Sequence, residues 1–151
     1  SVIGLFEATI QQIVALAVLM PIVSAIGGNA GTQALTVTVR ALATRELNSS
    51  NAPRTFWREM MVGLANGLIL APLIGIAAGF WFRDEDWKIG LVIGAAMILN
   101  LLVAASIGVL TPLTLSKLKF DPAVSSAVFV TATTDFFGFL IFLGLATLVL
   151  L

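Results

Sequence analysis

Four long apolar stretches, separated by short charged segments, constrain this chain more than any other feature of its sequence. The stretches cover roughly residues 7–39, 60–82, 88–116 and 122–151. Each is long enough to cross the hydrocarbon core of a bilayer, which takes about 20 apolar residues. Because 59% of the 151 residues are hydrophobic and only 11% are charged, such stretches cannot all be hidden inside a soluble domain of this size. The sequence therefore predicts an all-α, polytopic transmembrane helical bundle with four spans.

The charged and reactive residues exclude several classes of function. Eight Lys and Arg balance eight Asp and Glu, so the chain lacks the basic excess that a nucleic-acid partner requires. Histidine and cysteine are both absent, which excludes disulfides, thiolate or imidazole zinc sites and Cys or His nucleophile pairs. We expect neither an enzyme nor an organic cofactor, and any metal ion must be bound by oxygen.

The basic residues are distributed unequally over the connections between the stretches. Six of the eight Lys and Arg lie in the segments Arg40–Arg58 and Lys117–Asp121. Because positive charge favours the cytoplasmic side, these two loops are predicted to be cytoplasmic and both chain ends to lie outside. The predicted location is the plasma (inner) membrane, with several passes.

Asp135 is the one charged residue deep within an apolar stretch. It lies 13 residues after Pro122 and 16 before the end of the chain, so on a helix it is roughly 20 Å from either end. An ionised carboxylate at that depth costs at least about 2.5–3.5 kcal/mol. Asp135 is therefore expected to face a polar cavity or a cation, with Thr131 on the same helix face supplying oxygen. The alternative is an aspartate that only links helices through a hydrogen bond.

A second unusual segment, Pro21–Gln33, interrupts the first apolar stretch with a proline, paired glycines and amides. Such a helix is expected to kink or unwind, and its freed carbonyls could then face an ion or its hydration shell. The pattern fits equally well a close helix crossing in which Asn29 and Gln33 form interhelical hydrogen bonds.

A mid-membrane carboxylate beside carbonyl oxygens favours a small hard cation such as magnesium, calcium or manganese. One acid is too few for a dehydrated site, and Mg²⁺ is the ion that is usually bound by one or two carboxylates with several waters retained. In a two-fold dimer with the pore on its axis, two copies of Asp135 would balance one divalent charge.

Small residues also predict how the helices pack. Glycine or alanine recurs at every fourth position from Gly63 to Gly79, which lets another helix backbone approach closely in lipid. Asn100 lies near mid-depth in the third stretch, where its amide needs a partner on another helix.

Two long motifs resemble the MgtE family of magnesium channels and transporters. Residues 21–33 (PIVSAIGGNAGTQ), followed by Arg40–Ala43, resemble the second transmembrane helix of that family. Residues 121–138 (DPAVSSAVFVTATTDFFG) resemble its fifth helix, with Asp135 at the position of the pore aspartate. The resemblance covers essentially all 151 residues, as the last four of five spans.

The resemblance implies a homodimer whose two-fold axis carries the ion path, lined by the second and fifth helices. In this sequence Asp135 would coordinate hydrated Mg²⁺ with backbone oxygens nearby, that of Thr131 among them. Gly28, Gly31 and Gly138 would leave width for the hydrated ion, and Asn29 would line the same path. The expected function is a magnesium-selective channel, with passage of other divalent cations left open.

Two functions other than a channel fit the same residues. They are a secondary transporter exchanging the divalent cation for Na⁺ or H⁺ and a membrane subunit that transports nothing.

The sequence departs from the family in one respect. The family's cytoplasmic N-terminal domain, its CBS domains and its first span have no counterpart here. We therefore expect residues 1–151 to be the transmembrane pore domain of a longer protein.

Overall fold

The computed structural model describes every residue except Ser49, and of Ser125 it describes the backbone alone. All regular secondary structure in these described residues is helical, as the sequence predicts. The helices are α1 (Val2–Leu5), α2 (Glu7–Gln12), α3 (Ala15–Ala43), α4 (Ala52–Trp81), α5 (Lys88–Lys117) and α6 (Pro122–Leu150). Helices α3 to α6 are each long and apolar enough to cross a membrane, so the prediction of four long apolar helices able to span a bilayer is confirmed.

The helix bounds differ from the predicted spans at two places. The first stretch is divided, since α1 and α2 are short and α3 starts only at Ala15. Helix α4 begins at Ala52, about two turns before the predicted span. Hydropathy locates the part of a helix that lies in hydrocarbon, whereas a helix can continue into the headgroup region. Pro53 favours this early start, because proline fits the first helical turn, where its missing N–H would have no partner.

The predicted unwinding of residues 21–33 is wrong, because α3 is helical from Ala15 to Ala43 and passes through Pro21 and the glycine pair. Threonine hydroxyls add hydrogen bonds within the same helix: Thr32 Oγ1 donates to the Gly28 carbonyl at 2.8 Å, and Thr36 Oγ1 donates to the Thr32 carbonyl at 2.8 Å. In hydrocarbon a free carbonyl has no water to bond. A continuous helix that loses one bond at Pro21 is therefore favoured over an open segment.

Helix α5 forms the centre of the bundle. Of its most apolar 18 residues 61% are buried, compared with 17% in α4. Helices α3, α4 and α6 all pack against α5, and α3 also packs against α6, whereas α3 and α4 scarcely touch. The α3 and α6 pair therefore has one side against α5 and another side open to the surroundings of the chain.

The close approach of α4 and α5 confirms the prediction from the small-residue spacing. A Cβ atom added at Gly75 would lie 2.8 Å from the Gly90 carbonyl oxygen, and one at Gly63 would lie 3.0 Å from the Leu101 carbonyl oxygen. Contacts this short with backbone leave no room for any side chain. These glycines therefore serve helix packing.

Candidate ion site

Asp135 lies at the contact between α3 and α6 and is only partly buried. The Ser24 hydroxyl on α3 donates a hydrogen bond of 2.5 Å to Asp135 Oδ1. A hydrogen bond to a carboxylate oxygen is shorter and stronger than one between neutral groups. Ser24 therefore fixes the orientation of the carboxylate and joins the two helices at this depth.

The carboxylate also lines an open recess on the outer side of α6. This recess has a volume of about 480 Å³. Its lining residues all belong to α6: Ala127, Val128, Thr131, Ala132 and Asp135. Among the described residues, Ser24 is the one hydrogen-bond donor to the carboxylate, and it binds Oδ1. Asp135 Oδ2 is thus left for a ligand or water, with Thr131 one turn away in the same recess.

No basic side chain neutralises Asp135 in the described part of the chain. The ion pairs found there join Arg58 to Glu59 and Arg83 to Asp84, both outside the apolar core. Nor do three or more acidic side chains in that part come together in an arrangement that could hold a metal ion. In the middle of its membrane spans, the described part of a single chain therefore offers one uncompensated carboxylate, which attracts a cation and is too little to surround a bare one.

Polar side chains continue along the open side of α3. Gly28 lies one turn after Ser24, and a Cβ atom added there would meet nothing within 4 Å. Four uncharged polar residues on this helix are exposed: Asn29, Thr32, Gln33 and Thr36. The Thr32 and Thr36 hydroxyls are bonded within α3, whereas the amides of Asn29 and Gln33 have no partner among the described residues and require water or another polar surface beside them. The open side of the pair therefore carries a polar face on α3, next to the Asp135 recess of α6.

Two of the residues predicted to line the ion path lie elsewhere. Gly31 and Gly138 are both buried inside the chain. A Cβ atom at Gly31 would lie 2.7 Å from Val130 Cγ1, and one at Gly138 would lie 3.0 Å from Asn100 Nδ2. Both glycines allow helices to approach within one chain, so they do not share the open face with Gly28 and Asn29.

Asn100 of α5 packs between the two helices that form the candidate site. It is 1% exposed and lies on α5 between Gly27 of α3 and Gly138 of α6. Its Nδ2 donates to the Val23 carbonyl at 3.1 Å, which confirms the predicted partner on another helix. Its Oδ1 is buried and has no partner among the described residues. Asn100 thus fits between the two helices that carry Ser24 and Asp135.

The sequence alone does not predict the hydrogen bond between Ser24 and Asp135. Its one signal is a hydroxyl within an apolar run, and the two residues are 111 positions apart. Only the packing of α3 on α6 brings the two side chains together.

Comparison with known proteins agrees with these features. The profile of the MgtE family, described as "Divalent cation transporter", matches residues 20–145. The chain is 36% identical over 147 residues to the "Magnesium transporter MgtE" of Bacillus subtilis (strain 168), over 97% of this chain and 32% of that protein. It is also 36% identical to the protein of the same name from Enterococcus faecalis, over 98% of this chain and 32% of that protein. The identity to the Thermus thermophilus protein of that name is again 36%, over 99% of this chain and 33% of that protein. The chain therefore spans about a third of the length of these relatives.

Proposed function

Since this chain belongs to the MgtE family of divalent cation transporters, we propose that it forms the ion path of a magnesium channel. Hydrated Mg²⁺ enters along the open face of α3 and α6 and stops beside Asp135. The relatives are named as magnesium transporters and not as enzymes, which agrees with the small set of reactive side chains here.

One observation carries this proposal: Asp135 is a partly exposed carboxylate in the middle of a membrane-spanning helix, without a basic partner in the described residues. Such a charge is too costly to keep in lipid unless it serves an ion or a water-filled passage. The recess beside Asp135 provides space for that ion and its water.

The chemistry of the site favours a hydrated ion. Mg²⁺ gives up its water reluctantly and is commonly held through one or two carboxylates. Asp135 Oδ2 and the oxygens of Thr131 would accept hydrogen bonds from the water shell. Gly28 and Asn29 would line the path beside it, where the absence of a side chain at Gly28 leaves width. Gly31 and Gly138 act in helix packing instead.

A second copy of the chain would complete the path. The polar face cannot remain against acyl chains, because the amides of Asn29 and Gln33 on α3 have no hydrogen-bond partner among the described residues and are unfavourable in hydrocarbon. A two-fold dimer that joins these faces would place two Asp135 carboxylates near one axis. Their two negative charges would then match one divalent ion.

The basic end of the bundle would face the cytoplasm of the cell, in the plasma (inner) membrane. This orientation follows from the six Lys and Arg at the two connections Arg40–Arg58 and Lys117–Asp121. The membrane potential then drives the ion inward with roughly 2.3 kcal/mol per charge per 100 mV, twice that for a divalent ion.

Flux of Mg²⁺ into liposomes that contain the purified chain tests the proposal. Asp135→Asn keeps the shape and the acceptor for Ser24 but removes the charge, so we expect flux to fall by about tenfold or more. Asp84→Asn, an identical change on the exposed α4–α5 connection, is the matched control and should leave flux unchanged. The Bacillus relative, reconstituted in parallel, serves as the positive control of the assay. Equal flux in wild type and Asp135→Asn would contradict the proposal.

Current measurements separate a channel from an exchanger. In a planar bilayer with Mg²⁺ as the sole permeant cation and no Na⁺ or H⁺ gradient, a channel gives a current that follows the voltage. An obligatory exchanger gives none.

A further inference from the structure

A pocket lies at the basic end of the bundle, between the end of α3 and the start of α4. Its volume is about 630 Å³. Its polar lining consists of Arg40, Glu46, Asn51, Arg54, Thr55 and Arg58, and its apolar lining of Val37, Ala41 and Leu47. The pocket lies at the opposite end of α3 from Ala15, outside the candidate ion site.

The floor of the pocket is built by a hydrogen-bonded turn after α3. Arg45 adopts the left-handed conformation, with φ of 59°. Its N–H donates to the Leu42 carbonyl at 3.2 Å, and the Glu46 N–H donates to the Ala41 carbonyl at 3.0 Å. This pair of bonds is the Schellman motif that ends many helices. Because the turn satisfies the last carbonyls of α3, the end of the helix that carries Arg40 is fixed.

The start of α4 is tied to the same turn. Asn51 Nδ2 donates to the Glu46 carbonyl at 2.7 Å, and Leu47 is 95% buried beneath it. Arg54 and Arg58 then follow on the first turns of α4, one helical turn apart. The arginines from two different helices therefore line one pocket of defined shape.

The pocket carries an excess of positive charge. Its three guanidinium groups face one carboxylate, that of Glu46. Arg58 is 3.4 Å from Glu59, whereas neither Arg40 nor Arg54 forms an ion pair in the described part of the chain. The N-terminus of α4, a helix of 30 residues, adds the positive end of its dipole. The pocket thus has the charge and the donors of an anion site.

We propose that this pocket binds the phosphate group of an anionic lipid. Guanidinium groups bind phosphate through two parallel N–H bonds, which makes arginine the preferred residue for this anion. The pocket lies where α3 and α4 leave the apolar core, and the apolar side chain of Val37, which is 41% exposed, lies beside its arginines. Trp57, which is 64% exposed on α4, is of the residue type that lies at the level of the headgroups. A lipid headgroup with its acyl chains alongside fits this combination better than a soluble anion does.

Native mass spectrometry of the purified chain tests the lipid site. The chain is released from nanodiscs that contain phosphatidylglycerol and phosphatidylcholine in equal amounts, and the retained lipid is counted. We expect wild type to retain phosphatidylglycerol selectively. The double variant R40Q/R54Q should bind phosphatidylglycerol about tenfold more weakly, because each basic residue near an anionic lipid surface strengthens the binding of that lipid. The control R83Q/K88Q, which removes two charges at the other end of the bundle, should retain it as wild type does.

Two further binding measurements, one with a lysine variant and one with inorganic phosphate, identify the ligand. R40K/R54K keeps both charges but loses the bidentate geometry, and intermediate retention supports a phosphate-specific site. Inorganic phosphate, added to the chain in detergent, should bind far more weakly than the lipid; binding as tight as that of phosphatidylglycerol would overturn the lipid as the ligand. Equal retention of phosphatidylglycerol by wild type, R40Q/R54Q and R83Q/K88Q would overturn the site itself.

Discussion

At the scale of single residues, the Ser24 hydroxyl fixes the orientation of the Asp135 carboxylate. The hydrogen bond of 2.5 Å engages Oδ1, so the carboxylate cannot rotate freely. A hydrated ion needs oxygen acceptors at fixed positions, since its water shell has a defined octahedral geometry. In the proposed ion path Ser24 would therefore be a positioning residue, which acts on the ion through Asp135.

Ser24→Ala should lower the free energy of unfolding by about 1 kcal/mol, because a partly buried carboxylate oxygen loses its donor. Chemical denaturation of the purified chain in detergent measures this change. Ser116→Ala, at the exposed end of α5, is the control and should have no effect.

A double variant separates this hydrogen bond from other roles of Ser24. In an Asp135→Ala background the loss from Ser24→Ala should be smaller, since the partner is already gone. The same loss in both backgrounds would mean that Ser24 stabilises the chain by some other contact.

The sequence predicts Asp135 as a candidate far better than it predicts the surroundings of Asp135. A lone acid in an apolar helix is unfavourable wherever the other helices lie, so its importance follows from one stretch of sequence. Its hydrogen bond to Ser24 depends on the register between α3 and α6, which spacing along the chain does not define. The same holds for Gly138, whose burial depends on where Asn100 of α5 lies.

At the scale of helices, glycines of the same helix serve different purposes. On α6, a Cβ atom at Gly138 would lie within 3.0–3.2 Å of three atoms of the Asn100 side chain, whereas one at Gly144 would meet nothing within 4 Å. In the sequence both are glycines within one apolar stretch. Only the contacts that they make in the folded chain show which of them has room for a side chain.

Gly138→Ala should therefore destabilise the bundle by about 1–3 kcal/mol, because the added methyl group displaces Asn100. Gly144→Ala should cause no loss and can add up to about 1 kcal/mol through higher helix propensity. Thermal unfolding of the two variants beside wild type measures the difference. Equal stability of the two variants would contradict the assigned contact.

The continuity of α3 shows why local sequence signals can mislead in a membrane. Proline and paired glycines predict a break in water, where released backbone groups can bond to solvent. In hydrocarbon those groups have no such partner, and α3 remains helical across Gly27 and Gly28. The interruption lies instead at residues 13 and 14, between α2 and α3.

At the scale of the whole molecule, the chain has a polar face that it does not cover itself. Helix α5 is surrounded by its three neighbours, and α4 exposes apolar side chains typical of contact with lipid, such as Leu73 and Ile76. On the open side of the α3 and α6 pair, α3 instead exposes hydroxyls and amides, and α6 adds Thr131 and the partly exposed Asp135 among apolar side chains. A second copy of the chain on this face would exclude lipid and enclose water.

Cysteine cross-linking tests that arrangement, and it is simple because the chain has no cysteine of its own. Val128 lines the Asp135 recess and is 75% exposed, so Val128→Cys should form a disulfide-linked dimer in membranes on mild oxidation. Leu73→Cys on α4, which is 63% exposed, should remain monomeric. Gel electrophoresis without reductant measures the fraction of disulfide-linked dimer in both variants. Equal cross-linking of the two variants would argue against the proposed face.

In the proposed ion path a divalent ion with its water rests beside Asp135, and locating the ion tests this arrangement most directly. Crystals of the chain soaked in Mn²⁺, which scatters anomalously and prefers the same oxygen ligands, would reveal its position. We expect a peak about 4–5 Å from the Asp135 carboxylate oxygens, the distance at which one layer of coordinated water intervenes. A peak confined to the acidic connection at residues 84–86, with none beside Asp135, would contradict the account.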